Sequence, residues 1–305
     1  MSAGRIVVSG GSGLIGRALV RELLADGHEV VVLSRDPGRA AGSAPGARAV
    51  AWDAATAGAW QAEVDGARAV VHLAGDNLAE GRWTVAKKER ILRSRVDSGR
   101  ALAAAVVAAK RPPQVLVQAA GVGYYGRGGD EIFTEASPPG GDFVAGVCTQ
   151  WEAATAAVET RGVRRVILRS GVVLAARGGA LPRMVLPYRL FAGGRLGSGR
   201  QWMSWVHLAD EVAAFRFALE RDDVAGALNL ASPNPQRNAD FGRTLGRVLR
   251  RPSRFPVPSF VLRLLLGEMS TVVLDGQRVA PTRLLDAGFA FRFAELEPAL
   301  RDLLV

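Results

Sequence analysis

Cysteine occurs once in the 305 residues, at Cys148, which excludes an internal disulfide and a cysteine-built zinc centre; no metal site is expected. Lysine is confined to Lys87, Lys88 and Lys110, and tyrosine to Tyr124, Tyr125 and Tyr188, so chemistry that needs either side chain has few places to draw on. Long apolar runs are missing too. Residues 261–267 are short and interrupted by Arg263, and no run approaches the roughly 18 to 20 residues that cross a bilayer. Residues 1–17 read as a strand and a glycine turn rather than a basic head with an apolar run, so no leader or membrane contact is expected and a cytoplasmic location follows.

What is abundant is apolar. A hydrophobic share of 49% against 22% charged excludes a disordered chain, and the length allows one large α/β domain or one with a smaller companion. The formal charge of +10 raises the question of nucleic acid. Most of the cations are arginines scattered along the chain, and the local groups at 87–95 and 243–254 carry no interleaved aromatics for base stacking. They read as solvated helix faces, with a nucleic-acid surface as the lesser reading.

Near its start the sequence runs from a short apolar strand at residues 6–8 into Gly10, Gly11, Ser12, Gly13, Leu14, Ile15 and Gly16, and then into an amphipathic helix. Such a turn is a dinucleotide cradle. Gly10 permits the tight turn, Gly13 lets backbone approach a pyrophosphate, and Gly16 lets helix pack on strand, with the phosphates on the helix N-terminus. Strands at 28–33, 47–51, 69–73, 115–117 and 166–169 alternate with helices, including a long one over 83–110 that Pro112 and Pro113 end. This pattern predicts a Rossmann-type doubly wound parallel sheet. Residues 121–142 read as irregular loop, 150–159 as helix, 202–206 as a short strand, 209–220 as helix and 227–230 as a strand returning to the sheet. The expected division is a cofactor domain of residues 1–175 with 205–231, and a small α/β substrate domain of 176–204 with 232–305.

At the end of the second strand, where NAD binders place an acidic residue, stand Ser34 and Arg35. A guanidinium forks onto phosphate, so this pair fits a 2′-phosphate and hence NADP(H); the other reading of Arg35 is an ordinary surface arginine. Asp53, Leu73, Ala74 and Gly75 follow the third and fourth strands and share the same sheet edge. Asp53 reads either as an acceptor for adenine or as a turn aspartate.

These residues, with Val122-Gly-Tyr-Tyr-Gly126, Arg169-Ser-Gly-Val-Val-Leu174 and Trp205-Val-His-Leu-Ala-Asp210, resemble the short-chain dehydrogenase/reductase superfamily in its extended, epimerase-like branch. More narrowly the chain resembles an atypical group known as epimerase family proteins, some labelled cell-division inhibitors. The motifs are Cys148-x-x-Trp151-Glu152, residues 197–201, residues 231–235 and a C-terminal segment like that group's region of unknown function. The resemblance implies NADP(H) binding, with Arg95 facing the cofactor and Val173 near the nicotinamide.

The superfamily's active site is a Tyr-x-x-x-Lys pair with a nearby serine or threonine. Here the position of the tyrosine falls on Val144, that of the lysine on Cys148, and that of the hydroxyl near Ala120 or Gly121. Tyr125 is the candidate replacement acid or base, against a packing role. Cys148 is a second candidate, against a small buried apolar residue. His207 and Asp210 read as ordering a strand-to-helix corner, Asp210 by accepting from early helix amides. Arg200, Gln201 and Trp202 are candidates to meet a substrate. Two functions stand: an NADP(H)-dependent oxidoreductase or nucleotide-sugar-epimerase-like protein of unknown small-molecule substrate, or a catalytically silent NADP(H)-binding regulator. A monomer or homodimer is expected in either.

Overall fold

Alternation of apolar side chains across each strand decides the architecture. In β1 (Arg5–Ser9), Ile6 and Val8 enter one core and Val7 the other; in β2 (Glu29–Ser34), Val30 and Val32 oppose Val31 and Leu33. A sheet apolar on both faces must be covered on both. The computed structural model describes residues 3–305 and shows that covering.

Helix α1 (Leu14–Ala25) follows β1, and α2 (Pro37–Ser43) follows β2, capped by Asp36, which accepts from the Arg39 amide at 3.0 Å. Next come β3 (Arg48–Ala51), β4 (Ala69–His72), the long α3 (Val85–Ala108) and β5 (Val115–Gly121). The chain continues through a 3-10 turn (Val122–Tyr125), β6 (Ile132–Phe133), α4 (Phe143–Ala153), β7 (Arg164–Ser170), β8 (Val172–Leu174) and α5 (Leu181–Arg189). After β9 (Trp202–Met203), β10 (Trp205–His207) and α6 (Leu208–Glu220), β11 (Gly226–Leu230) returns to the main sheet. The remainder is β12 (Gln236–Arg237), α7 (Asn238–Leu249), α8 (Ser259–Leu266), α9 (Thr271–Leu274), β13 (Arg278–Val279), α10 (Thr282–Asp286) and α11 (Leu296–Leu304).

Seven parallel strands lie in the order β11-β7-β5-β4-β1-β2-β3, a doubly wound α/β sheet whose direction of winding reverses between β1 and β4. On one face α1 brings Leu19 and Leu23, and α6 brings Val212 and Phe215; on the other α3 brings Leu102 and Val106. A separate core joins Leu181, Tyr188, Trp205, Phe241, Leu245 and Leu300. No helix among the described residues is long and apolar enough to cross a membrane.

Three sequence expectations change. The helix expected at 150–159 begins at Phe143, because Asp142 caps it by accepting from the Ala145 amide at 2.9 Å, and a 3-10 turn (Ala156–Arg161) replaces its far end. The stretch 121–142 holds the 3-10 turn and β6, which pairs with the distant β13. The strand expected at 202–206 divides into β9 and β10, which pair with different partners, β12 and β8.

Candidate functional site

A cleft of about 610 Å³ opens at the carboxyl edge of the sheet, over the point where winding reverses. Gly10, Gly13, Leu14, Ile15 and Gly16 form one wall. Gly10 has a φ of +74°, and a Cβ there would lie 2.7 Å from the Leu73 carbonyl carbon; a Cβ on Gly16 would run into the Gly10 carbonyl. Only glycine lets the turn lie this close to β4 and α1 to the turn. Gly13 is the N-cap of α1, no side chain among the described residues caps that helix end, and no acidic residue sits in its first turn. The positive end of the helix therefore faces the cleft uncompensated.

Leu73, Gly75 and Arg95 border the cleft as well. Arg95 is 8% exposed, and its guanidinium donates to the Ile91 carbonyl of its own helix at 3.0 Å and lies 5.0 Å from the Trp151 ring. Burial lowers its pKa, and it forms no salt bridge among the described residues. Apart from the favourable charge of Asp76, no carboxylate compensates this buried cation among the described residues, an arrangement that can receive an anion. Farther along stand Gly121, Ser170, Val172 and Val173 from the sheet edge, Val144 and Cys148 from α4, and Thr271, Val272, Asp275 and Gln277 from the C-terminal segment. Sequence reasoning did not place Ser170, Asp76, Asp142 or this C-terminal rim at the cleft; the rim's segment resembled a region of unknown function, which assigns no site, while Asp142 before an apolar run was a readable helix-cap signal.

Cys148 borders the cleft, but burial pushes its thiol up to about 12, so it is a neutral thiol and not a thiolate. Tyr125 is not brought to the cleft. Its hydroxyl donates to Asn229 Oδ1 at 2.6 Å and accepts from Arg169 at 3.0 Å, while Arg169 forks onto both oxygens of Glu152 at 2.8 Å. Burial raises the Tyr125 pKa above the ordinary phenol value. For Arg169, burial opposes the charge, and the Glu152 carboxylate outweighs that, raising its pKa. This is a closed structural network on the α4 side of the sheet.

Other expected residues lie around the cleft rather than in its walls. Gly11 backs onto Val32, where a Cβ would come within 2.8 Å, and neither Ser12 nor Ala74 lines the cleft. Ser34 accepts from the Asp36 amide at 3.2 Å, and Arg35 is exposed and has no partner among the described residues. The Asp53 carboxylate accepts from the Ala55 and Thr56 amides at 2.9 and 2.8 Å and from the Thr56 hydroxyl, which hold it down at about 2: it is a turn aspartate. His207 caps α6 by accepting from the Ala209 amide at 3.0 Å, as a corner residue should. Asp210 differs from expectation: it accepts from the amides of Arg292 and Phe293 at 2.7 and 2.9 Å and so ties the C-terminal segment to α6. Arg200 and Gln201 line a separate pocket of about 210 Å³, and Trp202 donates to Asp130 at 2.8 Å.

Beside the cleft, Ser170 Oγ lies 2.6 Å from Glu211 Oε1. Glu211 is fully buried, and burial raises its carboxyl to about 8. On the opposite face His72 is likewise buried, contacts Ser9 at 2.8 Å and is pushed down by burial to about 4, a neutral structural histidine.

The family model described as "NAD dependent epimerase/dehydratase family" matches residues 6–231, and one for a domain of unknown function matches residues 257–303. The chain is 38% identical to the epimerase family protein YfhF of Bacillus subtilis, covering 98% of this chain and 97% of that protein. It is 39% identical to the mouse epimerase family protein SDR39U1, covering 98% and 99%. The human epimerase family protein SDR39U1, solved with NADPH, superposes with a TM-score of 0.90 at 38% identity over 98% of each chain. MoeE5, solved with UDP-glucose and NAD, has a TM-score of 0.77 at 21% identity over 98% and 97%, which shows the fold alone.

Proposed function

The chain belongs to the NAD dependent epimerase/dehydratase family, and on that premise we propose that it binds NADPH in the cleft and reduces a carbonyl compound there without a tyrosine–lysine pair. The observation that carries the reading is the uncapped N-terminus of α1 behind a turn that admits only glycine. Such an end takes the pyrophosphate. Gly10, Gly13, Leu14, Ile15 and Gly16 then hold the phosphates, Leu73, Ala74 and Gly75 the adenosine side, Arg95 a phosphate or ribose oxygen, and Val173 the nicotinamide. Arg35, exposed and unpartnered, meets the 2′-phosphate with Ser34 beside it. Asp53 is left out of this set because its oxygens are engaged within their own turn. Residues 1–175 with 205–231 hold the cofactor in this proposal, and 176–204 with 232–305 shape the substrate side. The human relative solved with NADPH supports the choice of cofactor.

Fluorescence titration separates the nucleotides. Arg35→Ala weakens NADPH by about 10- to 100-fold, the range of a hydrogen bond to a charged group, and leaves NADH unchanged. Wild-type protein that binds NADH as tightly as NADPH removes the role given to Arg35. Stereospecifically deuterated NADPH tests the chemistry: label in an alcohol product supports the reductase, and tight binding without transfer to any carbonyl tried favours a silent NADPH-binding regulator.

A further inference from the structure

The hydroxyl that the superfamily places after the fifth strand falls here near Ala120 or Gly121, neither of which carries one. The register of β5 and β7 sets Ser170 directly opposite Gly121, one strand away, which is about 4.8 Å. Paired residues of parallel strands point to the same face. Leu168 enters the core beneath α6, and Ser170, two residues on, follows it to that side. There Ser170 borders the cleft and its hydroxyl meets Glu211, whose other oxygen, Oε2, has no hydrogen-bond partner among the described residues. Burying a carboxyl with one oxygen unpartnered costs stability, so the arrangement calls for a use.

Resting on the reductase reading above, we propose that Ser170 is the proton donor at the reacting end of the cleft and that the buried Glu211 carboxyl positions its hydroxyl and replaces its proton. No cation competes for that carboxyl. Arg169 turns to the other face and Glu152, Asp210 to the amides of Arg292 and Phe293, and His207 to the Ala209 amide, while Arg17 and Arg21 of the adjoining α1 are exposed. Burial therefore dominates its titration and outweighs the Ser170 hydrogen bond, which pulls the other way; with its carboxyl raised to about 8 Glu211 is protonated at neutral pH. The structure has the Ser170 hydroxyl donating to Oε1; with the proton on that oxygen the bond reverses, the Glu211 O–H donating to Ser170 Oγ and leaving the serine proton free for the cleft. Once ionised it accepts that proton's hydrogen bond and withdraws it.

NADPH supplies the hydride with its electron pair to the carbonyl carbon and leaves as NADP+. The carbonyl π pair moves onto oxygen, which takes the Ser170 proton as the Glu211 proton moves to Ser170 Oγ. An alcohol and the Glu211 carboxylate result, and water returns a proton through Ser170 when the alcohol departs.

Infrared difference spectra of wild type against Glu211→Gln test the pair without cofactor or turnover. A protonated-carboxyl band is expected at neutral pH that disappears as pH rises through about 8 and is missing from the variant; its absence from wild type overturns the proposal. Single-turnover oxidation of NADPH by phenanthrenequinone supplies the second arm. Ser170→Ala slows hydride transfer by about 100-fold or more with NADPH affinity unchanged, Ser170→Thr restores it, and Glu211→Gln abolishes the fall in rate above the titration. Transfer at the wild-type rate in Ser170→Ala, or weakened NADPH binding as its only defect, overturns the proposal in favour of a hydroxyl that merely grips the cofactor. Wild type that shows the band and binds NADPH but transfers no hydride overturns the reductase reading, and the donor role falls with it.

Discussion

Tyr125 shows how neighbours decide what a reactive side chain does. Its hydroxyl is satisfied by Asn229 and Arg169, residues remote in sequence, and burial keeps it protonated. Tyr125→Phe should leave hydride transfer intact and lower unfolding free energy by about 1–3 kcal/mol in urea titration, since Asn229 Oδ1 and one arm of Arg169 lose their partner. A loss of turnover with unchanged stability would return the residue to catalysis. The sequence made both roles readable because a tyrosine–glycine pair after β5 carries no information about Asn229. Cys148 repeats the point: its place beside the cleft followed from spacing to Trp151 and Glu152, but its neutral thiol depends on burial that only packing creates. Ser170 went unnoticed for the same reason, as its relation to Gly121 exists only through strand register.

Elements were legible where local periodicity and cap chemistry agree. The β1 turn, α1 and the returning β11 lie where the apolar pattern and glycines predict them, because each is specified by residues adjacent in the chain. Boundaries drifted where an element depends on distant partners, as with β6, whose mate β13 lies at the other end of the sequence. Helix α4 is the instructive exception: Asp142 was a local signal, outweighed by the glycines on either side of Phe143 and Val144. The α1 turn gives a graded test. Gly16→Ala sets a methyl against the Gly10 carbonyl and backbone of Gly11, and should cost about 1–3 kcal/mol of stability as well as NADPH binding. Gly13→Ala, whose methyl would stand 3.2 Å from the Gly10 carbonyl, should be milder in both urea denaturation and nucleotide titration.

Across the whole molecule, buried ionisable groups set the response to pH. Glu211 rises from an ordinary 4.5 to about 8 on folding, so the folded chain binds a proton more readily than the unfolded one. Its contribution to stability is fully present below about 4.5 and is lost as pH climbs through about 8. Thermal unfolding followed across that interval should show Tm falling more steeply in wild type than in Glu211→Gln; parallel profiles would mean that Glu211 is already ionised in the folded protein. The doubly wound sheet was legible at this scale from the alternation of strands and helices, whereas the way residues 271–277 close the cleft was not, because it is an agreement between the two ends of the fold.

That closure also has a temporal side. Thr271, Val272, Asp275 and Gln277 are the last of the cleft's parts to leave the ribosome, long after the glycine turn, β5 and α4 have been made. A nascent chain can assemble the nucleotide cradle early but gains the rim only when synthesis has passed residue 277. A nucleotide that meets the chain before then finds the glycine turn without the rim of residues 271–277.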